Sequence, residues 1–157
     1  MSITSLRTQR QHQVDLTYIK MAQIWSNLSH ANRKKVGALI VKNNTIIADG
    51  YNGTPSGFEN ECEIAINHED GSFKEYQTKW YVLHAESNAL AKVAKSTQSS
   101  DGSTLYVTYS PCTECSKLIL QAGIKKVVYL EEYRDVSGLE FLRKAGVEIK
   151  KIDLSSL

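Results

Sequence analysis

Apolar side chains recur at intervals of three and four residues near the start of the chain, and this spacing predicts a helix over Val14–Leu28. Two apolar, β-branched runs follow at Gly37–Val41 and Thr45–Gly50. The polar residues 42–44 between these runs predict a strand–turn–strand hairpin. Residues 50–57 contain three glycines and a proline. That composition predicts a loop, because such residues interrupt regular structure.

The second half of the chain alternates between helical and strand periodicity. Gly123 and Gly146 follow two of the helical segments and suit the left-handed cap that commonly ends a helix. Alternating helices and strands are typical of a sheet that is covered by helices. The predicted elements are a helix over Ala85–Lys95, a strand over Leu105–Thr108, a helix over Thr113–Ala122, a strand over Lys126–Leu130, a helix over Val136–Ala145 and a strand over Val147–Ile152.

Residues Phe58–Tyr81 lack a clear period and are polar, with an acidic bias and a turn predicted at Asp70–Ser72. We interpret them as an irregular insertion, which inside a compact domain is usually functional or mobile. The 157 residues suffice for one hydrophobic core, since ~100–200 residues per domain is usual. We therefore expect residues 1–157 to form a single domain with an insertion at about 58–81.

Charge and composition argue against several classes of protein. Nineteen Lys and Arg against seventeen Asp and Glu give a net charge of +2, and each half of the chain, divided after residue 80, carries +1. This even distribution argues against binding nucleic-acid phosphates through bulk charge.

The longest apolar runs, such as Val36–Val41, are much shorter than the ~20 residues of a membrane span. Met1–Gln13 lacks the apolar segment of a secretory signal. Three cysteines favour a reducing compartment and metal or catalytic chemistry, so we expect an intracellular protein.

Two short motifs carry the candidate chemistry, His84-Ala85-Glu86 and Pro111-Cys112-Thr113-Glu114-Cys115. One imidazole nitrogen and two thiolates three residues apart can share a tetrahedral Zn²⁺ ion. A structural zinc site, which requires a fourth protein ligand, and a redox pair of the thioredoxin type are the alternatives. The redox alternative is disfavoured because Pro111 precedes the cysteines and His84 lies upstream. The remaining His and Cys residues do not pair at a ligand spacing, which disfavours the structural one.

With three protein ligands, the fourth position of the ion is open to water, as in catalytic zinc sites. Zinc lowers the pKa of such a water from about 15.7 toward 7. Glu86 follows His84 by two residues, so its carboxylate can take the proton of that water and pass a proton to a departing group. The alternative for Glu86 is an exposed acid that the helix dipole stabilises. Its proximity to His84 and the cysteine pair favours the catalytic interpretation.

The pattern His-x-Glu followed by Pro-Cys-x-x-Cys is that of zinc-dependent nucleoside and base deaminases, in which water replaces an amino group on a ring carbon. Further matching segments are Lys35–Ala38, Gly50–Pro55, His84–Ala89 and residues 110–124. On these segments the chain resembles the deoxycytidylate (dCMP) deaminase family, including its phage-type members, from about Val14 to Ile152.

The resemblance implies a three-layer α/β/α cytidine-deaminase-like sandwich with a mixed five-stranded sheet. It also implies zinc-dependent conversion of dCMP to dUMP and ammonia, which supplies dUMP for thymidylate synthesis. The implied assembly is a homohexamer that dCTP activates and dTTP inhibits at a magnesium-assisted second site. The implied location is the cytoplasm, or the host cytoplasm if a phage encodes the protein. Neither a membrane nor a nucleic acid is an expected partner.

The same resemblance assigns roles around the substrate. Asn52 in the glycine loop would meet the sugar hydroxyl and the base, the alternative being an Asn that is tolerated in a turn. The substrate phosphate needs a cation, best a fork-shaped guanidinium, and Arg33 and Arg134 are the candidates, with solvated surface charges as the alternative. Tyr133 would close over the pyrimidine. Further substrate contacts are assigned to Ala85 and Ser110, and effector contacts to Gly50, Tyr51 and Gly53.

Some phage members of the family bind a second, structural zinc through extra cysteines. This chain has Cys62, but Ala31 and Glu61 stand near positions where others have thiols. We therefore predict one catalytic zinc ion and interpret Cys62 and His68 as an ordinary thiol and imidazole.

Two other functions stay open on the sequence. A deaminase of cytosine or adenine in tRNA or single-stranded DNA shares both motifs, but it needs a basic groove and a flipped base. The even charge and the loop at residues 50–57 disfavour it. The second is a non-catalytic module that zinc stabilises, for which loss of the metal would unfold the chain.

Overall fold

A mixed five-stranded β-sheet forms the centre of the computed structural model, which describes residues 2–156. Its strands lie in the order Thr45–Tyr51 (β2), Gly37–Lys42 (β1), Thr104–Tyr109 (β5), Lys126–Glu131 (β6) and Glu148–Lys151 (β7). β1 pairs antiparallel with β2 and β5, whereas β6 pairs parallel with β5 and β7. All five strands were predicted, with ends that differ by no more than one residue.

Within residues 2–156, four α-helices cover the two faces of this sheet: Ile3–Ser26 (α1), Ala85–Ala94 (α2), Thr113–Gln121 (α3) and Ser137–Lys144 (α4). Successive side chains of a strand point to opposite faces. Leu39 and Val41 of β1 therefore pack in the cluster on the α1 side, while Ala38 and Ile40 pack in the cluster formed with α2, α3 and α4. The structure confirms the predicted three-layer α/β/α sandwich.

The prediction for the start of α1 was wrong, because the helix begins at Ile3 and not at Val14. Residues 3–13 are mostly exposed and show no apolar stripe that would mark a helix. Two Arg, three Gln and one Leu among these eleven residues nevertheless have good helix propensity. The hydroxyl of Ser2 accepts a hydrogen bond from the Ser5 amide at 3.2 Å and caps the first turn.

The insertion at residues 58–81 is more regular than predicted. It contains an antiparallel hairpin of Glu63–Asn67 (β3) and Phe73–Thr78 (β4), which lies outside the main sheet. Every residue of β4 is exposed, so no alternation of apolar and polar residues marks the strand in the sequence. The predicted turn at Asp70–Ser72 is confirmed, with Gly71 at φ +84° and the Ser72 amide bound to Asp70 Oδ1.

Two glycines let helices approach the sheet closely, one on each face. A Cβ atom at Gly37 would overlap the carbonyl oxygen of Ala22 in α1, and one at Gly50 would overlap the carbonyl oxygen of Ala85 in α2. The second contact matters for the site, because it sets the first turn of α2 directly against the end of β2. His84 and Glu86 lie at that turn.

Candidate active site

His84, Cys112 and Cys115 meet where two helices begin. His84 is the N-cap residue of α2 and Cys112 that of α3, so both side chains are fixed at helix N-termini. The His84 Nδ1 atom lies 3.5 Å from Cys112 Sγ and 3.4 Å from Cys115 Sγ. In the described part of the chain, this is the one group of three His, Cys, Asp or Glu side chains close enough to share a metal ion.

The separation of these donors suits zinc. Tetrahedral Zn²⁺ with bonds of about 2.3 Å to sulfur and 2.0 Å to nitrogen requires a sulfur–nitrogen separation of about 3.5 Å. The observed values, 3.4 and 3.5 Å, match this requirement. Imidazole and thiolate are also the donors that zinc prefers. His84, Cys112 and Cys115 therefore fit a zinc ion in both geometry and chemistry.

The protonation of the three ligands is linked. A hydrogen bond from the Cys115 thiol, followed by one from His84, lowers the pKa of Cys112. The same thiol–thiolate hydrogen bond, together with burial, raises the pKa of Cys115. The contact with Cys112 also raises the pKa of His84. Cys112 is thus the first of the two thiols to reach the anionic form that binds a metal.

Glu86 lies in the first turn of α2 and is almost fully buried, with 4% of its surface exposed. Burial raises the pKa of its carboxyl group to about 7. Glu86 does not belong to the group of side chains that could share a metal ion. A carboxyl group in this position can exchange protons with a molecule that enters the site.

A cavity of about 440 Å³ opens in front of these residues, within the usual range for small-molecule sites. It brings together most of the side chains that the sequence singled out. The buried Cys115 does not line the cavity, nor do the predicted effector residues Gly50, Tyr51 and Gly53. The predicted residues in its wall are Arg33, Asn52, His84, Ala85, Glu86, Ser110, Cys112, Tyr133 and Arg134.

The side chain of Asn52 bridges two other parts of the cavity wall. Its Oδ1 accepts a hydrogen bond from the Val36 amide and its Nδ2 donates to the carbonyl of Lys34, both at 2.8 Å. Gly53 exchanges two backbone hydrogen bonds with Leu83, just before His84. The glycine loop therefore joins the start of β1 to the start of α2, and Asn52 has a structural role beside any role in binding.

The rim of the cavity is basic and aromatic. The Lys34 Nζ atom lies 4.8 Å from the ring centroid of Tyr109 and forms an ion pair with Glu131. The Tyr109 ring meets that of Tyr133 edge-on at 5.5 Å. Ser110 is buried, and its hydroxyl accepts a hydrogen bond from the Tyr133 amide at 2.8 Å. Ser110 thereby holds the loop that carries Tyr133 and Arg134 against the end of β5.

Several residues of the cavity wall were not identified from the sequence as site residues. The segment Ser110-Pro111-Cys112 could have pointed to Tyr109, which directly precedes it. Glu63 and Thr78 had no such signal, since they belong to the polar insertion and reach the cavity through the fold. The additional lining residues are Ala31, Lys34, Val36, Cys62, Glu63, Thr78, Val82 and Tyr109.

Comparison with known proteins shows extensive similarity. Residues 12–131 match the family model of the cytidine and deoxycytidylate deaminase zinc-binding region. The deoxycytidylate deaminase of enterobacteria phage T4 is 35% identical, with 90% of this chain and 91% of that protein covered. Human deoxycytidylate deaminase is 36% identical, with 85% and 76% covered. The crystal structure of dCMP deaminase from the cyanophage S-TIM5 in complex with dCMP and dUMP has a TM-score of 0.79 at 51% identity, with 89% and 97% covered.

Proposed function

The chain belongs to the cytidine and deoxycytidylate deaminase family, as its motifs predicted, and on that premise we propose that it hydrolyses dCMP to dUMP and ammonia. The observation that carries the proposal is a cavity with a basic rim that is lined by two of the three zinc donors and a buried carboxyl group, with the third donor, Cys115, close enough to share the same metal ion. The similarity to the cyanophage enzyme that binds dCMP and dUMP supports the choice of substrate.

His84, Cys112 and Cys115 would hold the catalytic zinc ion. When bound, zinc lowers the pKa of a coordinated water toward ~7 and so supplies the nucleophile at neutral pH. The chain contributes the positions of the three donors at two helix starts. The half-buried Cys112 and the exposed His84 line the cavity, and the buried Cys115 completes the group.

Glu86 moves the protons of the reaction. Its carboxylate takes a proton from the attacking water and delivers it to the pyrimidine ring, and the second proton leaves with the amino group as ammonia. Burial supports this role, because a carboxyl group with 4% exposure exchanges its proton with the substrate more readily than with bulk water. The net change is replacement of the C4 amino group by oxygen, with one water consumed and one ammonia released.

The remaining wall residues orient the substrate. Ala85, Ser110 and Tyr133 line the cavity; Ala85 and Ser110 would contact the base, and Tyr133 would cover the ring. Asn52 would offer the second N–H of its amide to the sugar, because the first is used by Lys34. A guanidinium of the rim, from Arg33 or Arg134, would bind the phosphate. The wall thus offers groups for the base, the sugar and the phosphate of a nucleotide.

We also propose the family's regulation and assembly for this chain. Gly50, Tyr51 and Gly53 flank Asn52 without lining the cavity, which suits a separate effector site for dCTP and dTTP with Mg²⁺. Met21, Ile24 and Leu28, exposed by 41%, 69% and 47%, offer an apolar surface for contact between subunits of a hexamer. Rates measured with each effector and Mg²⁺, and the mass from light scattering, test these points. Unchanged rates or a monomeric mass would contradict them.

Supply of dUMP for thymidylate synthesis and a cytoplasmic location stay predictions. Among residues 2–156, no helix is both long enough and apolar enough to cross a bilayer, and this includes the long helix α1.

The decisive test compares wild type with Glu86→Gln, which keeps the size of the side chain and removes its proton chemistry. Ammonia release is followed with dCMP, deoxycytidine, cytidine and single-stranded DNA. We expect wild type to act on dCMP, and we expect Glu86→Gln to retain zinc and the fold while turnover falls by about 10³-fold. Glu140→Gln, which changes an exposed first-turn acid of α4, is the matched control and should turn over normally.

Three outcomes would contradict the proposal. Activity on DNA without activity on dCMP would favour a polynucleotide deaminase. Full turnover by Glu86→Gln would exclude the role of its carboxyl group. A chain that unfolds completely on chelation of zinc and never deaminates would be a zinc-stabilised module. Because most side chains of the hydrophobic clusters on the two faces of the sheet are not metal donors, we expect chelation to abolish activity and leave the circular dichroism spectrum unchanged.

A further inference from the structure

The base of the insertion hairpin meets the loop that carries Arg33. Glu63 opens β3 and Thr78 closes β4, and the two residues face each other as a cross-strand pair. Both line the cavity, as Arg33 does. The insertion therefore contributes to the wall of the candidate active site.

Glu63 holds the main chain at Arg33. Its Oε1 accepts hydrogen bonds from the amides of Asn32 at 2.9 Å and Arg33 at 3.1 Å. Its Oε2 accepts from the amide and the side-chain Nδ2 of Asn32 at 3.1 and 3.2 Å. Hydrogen bonds to a carboxylate are about twice as strong as neutral ones, and Glu63 is only 4% exposed. The loop between α1 and β1 is thus fixed at the residue before Arg33 and at Arg33 itself.

Thr78 holds the side chain of the same residue. Its hydroxyl accepts a hydrogen bond from Arg33 Nη1 at 3.1 Å. A guanidinium has five N–H donors, so four remain for an anion in the cavity. A side chain that is already oriented loses less conformational freedom on binding than a free one. Glu63 thus holds the main chain of Arg33, and Thr78 holds its guanidinium group.

The charge of Glu63 strengthens the case for a positioning role. A carboxylate in the wall of a cavity for an anionic nucleotide repels the ligand. Within residues 2–156, no Lys, Arg or His side chain forms an ion pair with Glu63. Its partners are the N–H groups of Asn32 and Arg33. The orientation of Arg33 gives a physical reason for a carboxylate at this place.

We propose that Glu63 and Thr78 are positioning residues that hold Arg33 for the phosphate of the substrate, so that the insertion hairpin determines the preference for a nucleotide over a nucleoside. The inference rests on the proposed deamination of dCMP. Neither residue acts on the reacting atoms. Their loss therefore weakens binding of a phosphorylated substrate and leaves a substrate without phosphate unaffected.

The test measures kcat and KM for dCMP and for deoxycytidine, which lacks the phosphate. We expect Arg33→Ala to raise KM for dCMP about 100-fold, the loss of charge-assisted hydrogen bonds. Glu63→Gln should raise it about tenfold and Thr78→Val about fivefold, each with unchanged kcat and unchanged KM for deoxycytidine. Thr78→Ser keeps the hydroxyl and should restore the wild-type KM. Glu75→Gln, which removes an exposed carboxylate of the same hairpin, is the charge control.

A double-mutant cycle that combines Thr78→Val with Arg33→Ala gives a second test of whether Thr78 acts through Arg33. If Thr78 acts through Arg33, Thr78→Val causes no further loss once Arg33 is replaced. Binding of dCMP and deoxycytidine to the Glu86→Gln variant, measured by calorimetry, gives the same comparison without requiring turnover of the nucleoside.

The outcomes separate this inference from the proposed function. A wild-type protein that deaminates dCMP, with Thr78→Val and Glu63→Gln at the wild-type KM, overturns the inference alone. Equal losses on dCMP and deoxycytidine also overturn it, because they indicate a general structural defect. A wild-type protein that acts on neither substrate overturns the proposed function, and the inference fails with it.

Discussion

Gly138→Ala provides a direct test of how the fold holds the zinc donors. Gly138 is the second residue of α4, and a Cβ atom there would lie 2.5 Å from the carbonyl oxygen of Pro111, 2.6 Å from Ser116 Oγ and 3.0 Å from the carbonyl carbon of Cys112. Such overpacking costs about 1–3 kcal/mol, whereas alanine is favoured in a helix by about 1 kcal/mol. We expect the free energy of unfolding to fall by up to about 2 kcal/mol.

The same overlap acts on the metal site. Two of the three close atoms belong to the backbone of Pro111 and Cys112, so α4 or the cysteine segment must move. A misplaced donor costs about tenfold in zinc affinity, at the lower end of the effects seen when supporting residues are changed. Zinc affinity is measured by competition with a chelator, and stability by urea unfolding of the metal-free protein.

Gly146→Ala is the matched control at the other end of α4. Gly146 has φ +88°, and a Cβ atom there would meet nothing within 4 Å. The substitution costs about 1 kcal/mol through backbone strain, so it lowers stability to a similar extent but leaves zinc affinity unchanged. Wild-type zinc affinity in Gly138→Ala would refute the reasoning. Adding Ser116→Ala should restore only part of the loss, because the contact with Pro111 remains.

Two further substitutions test buried hydrogen bonds that do not involve the zinc donors. Burial raises the pKa of Asp15, but hydrogen bonds from Lys150 at 2.7 Å and from Tyr106 and Gln11 outweigh it and hold the pKa below its usual value. Its contribution to stability is therefore present above about pH 4 and is lost as the pH falls through the lowered folded value. Asp15→Asn should cost about 3 kcal/mol at pH 7 and less at pH 2, and equal losses in urea unfolding at both pH values would contradict this. Asn52→Asp replaces the donor to the Lys34 carbonyl by an acceptor, so we expect a loss of about 1–3 kcal/mol in unfolding free energy, and an unchanged melting temperature would exclude it.

Local patterns in the sequence account for most of the fold and for the zinc donors. β1 alternates Ala38 and Ile40 with Leu39 and Val41, and these pairs pack on opposite faces. Each of the two motifs spans at most five consecutive residues, and only the step from His84 to Cys112 is long. That step corresponds to α2 and β5, both of which the periodicity predicted.

The features that were missed depend on contacts that no local pattern records. The first turns of α1 pack against little, so their side chains carry no period, and the helix is fixed by its cap and by propensity. Glu63 and Thr78 are separated from Arg33 by 30 and 45 positions. In the sequence, Glu63 is one of several acids of a polar insertion. Only the pairing of β3 with β4 shows that Glu63 and Thr78 stand opposite each other beside Arg33.

The cavity contains two buried carboxyl groups, and their partners explain why they serve different ends. Glu63 and Glu86 are equally buried, with 4% exposure each. The oxygens of Glu63 accept hydrogen bonds from Asn32 and Arg33, which commits them to fixing the loop. Burial is the main influence on Glu86 and raises its pKa to about 7, which leaves its carboxyl group able to exchange a proton. Exchanging these environments would remove both functions. N–H donors placed around Glu86 would stabilise its ionised form and make proton exchange harder. A Glu63 without such donors would no longer support Arg33.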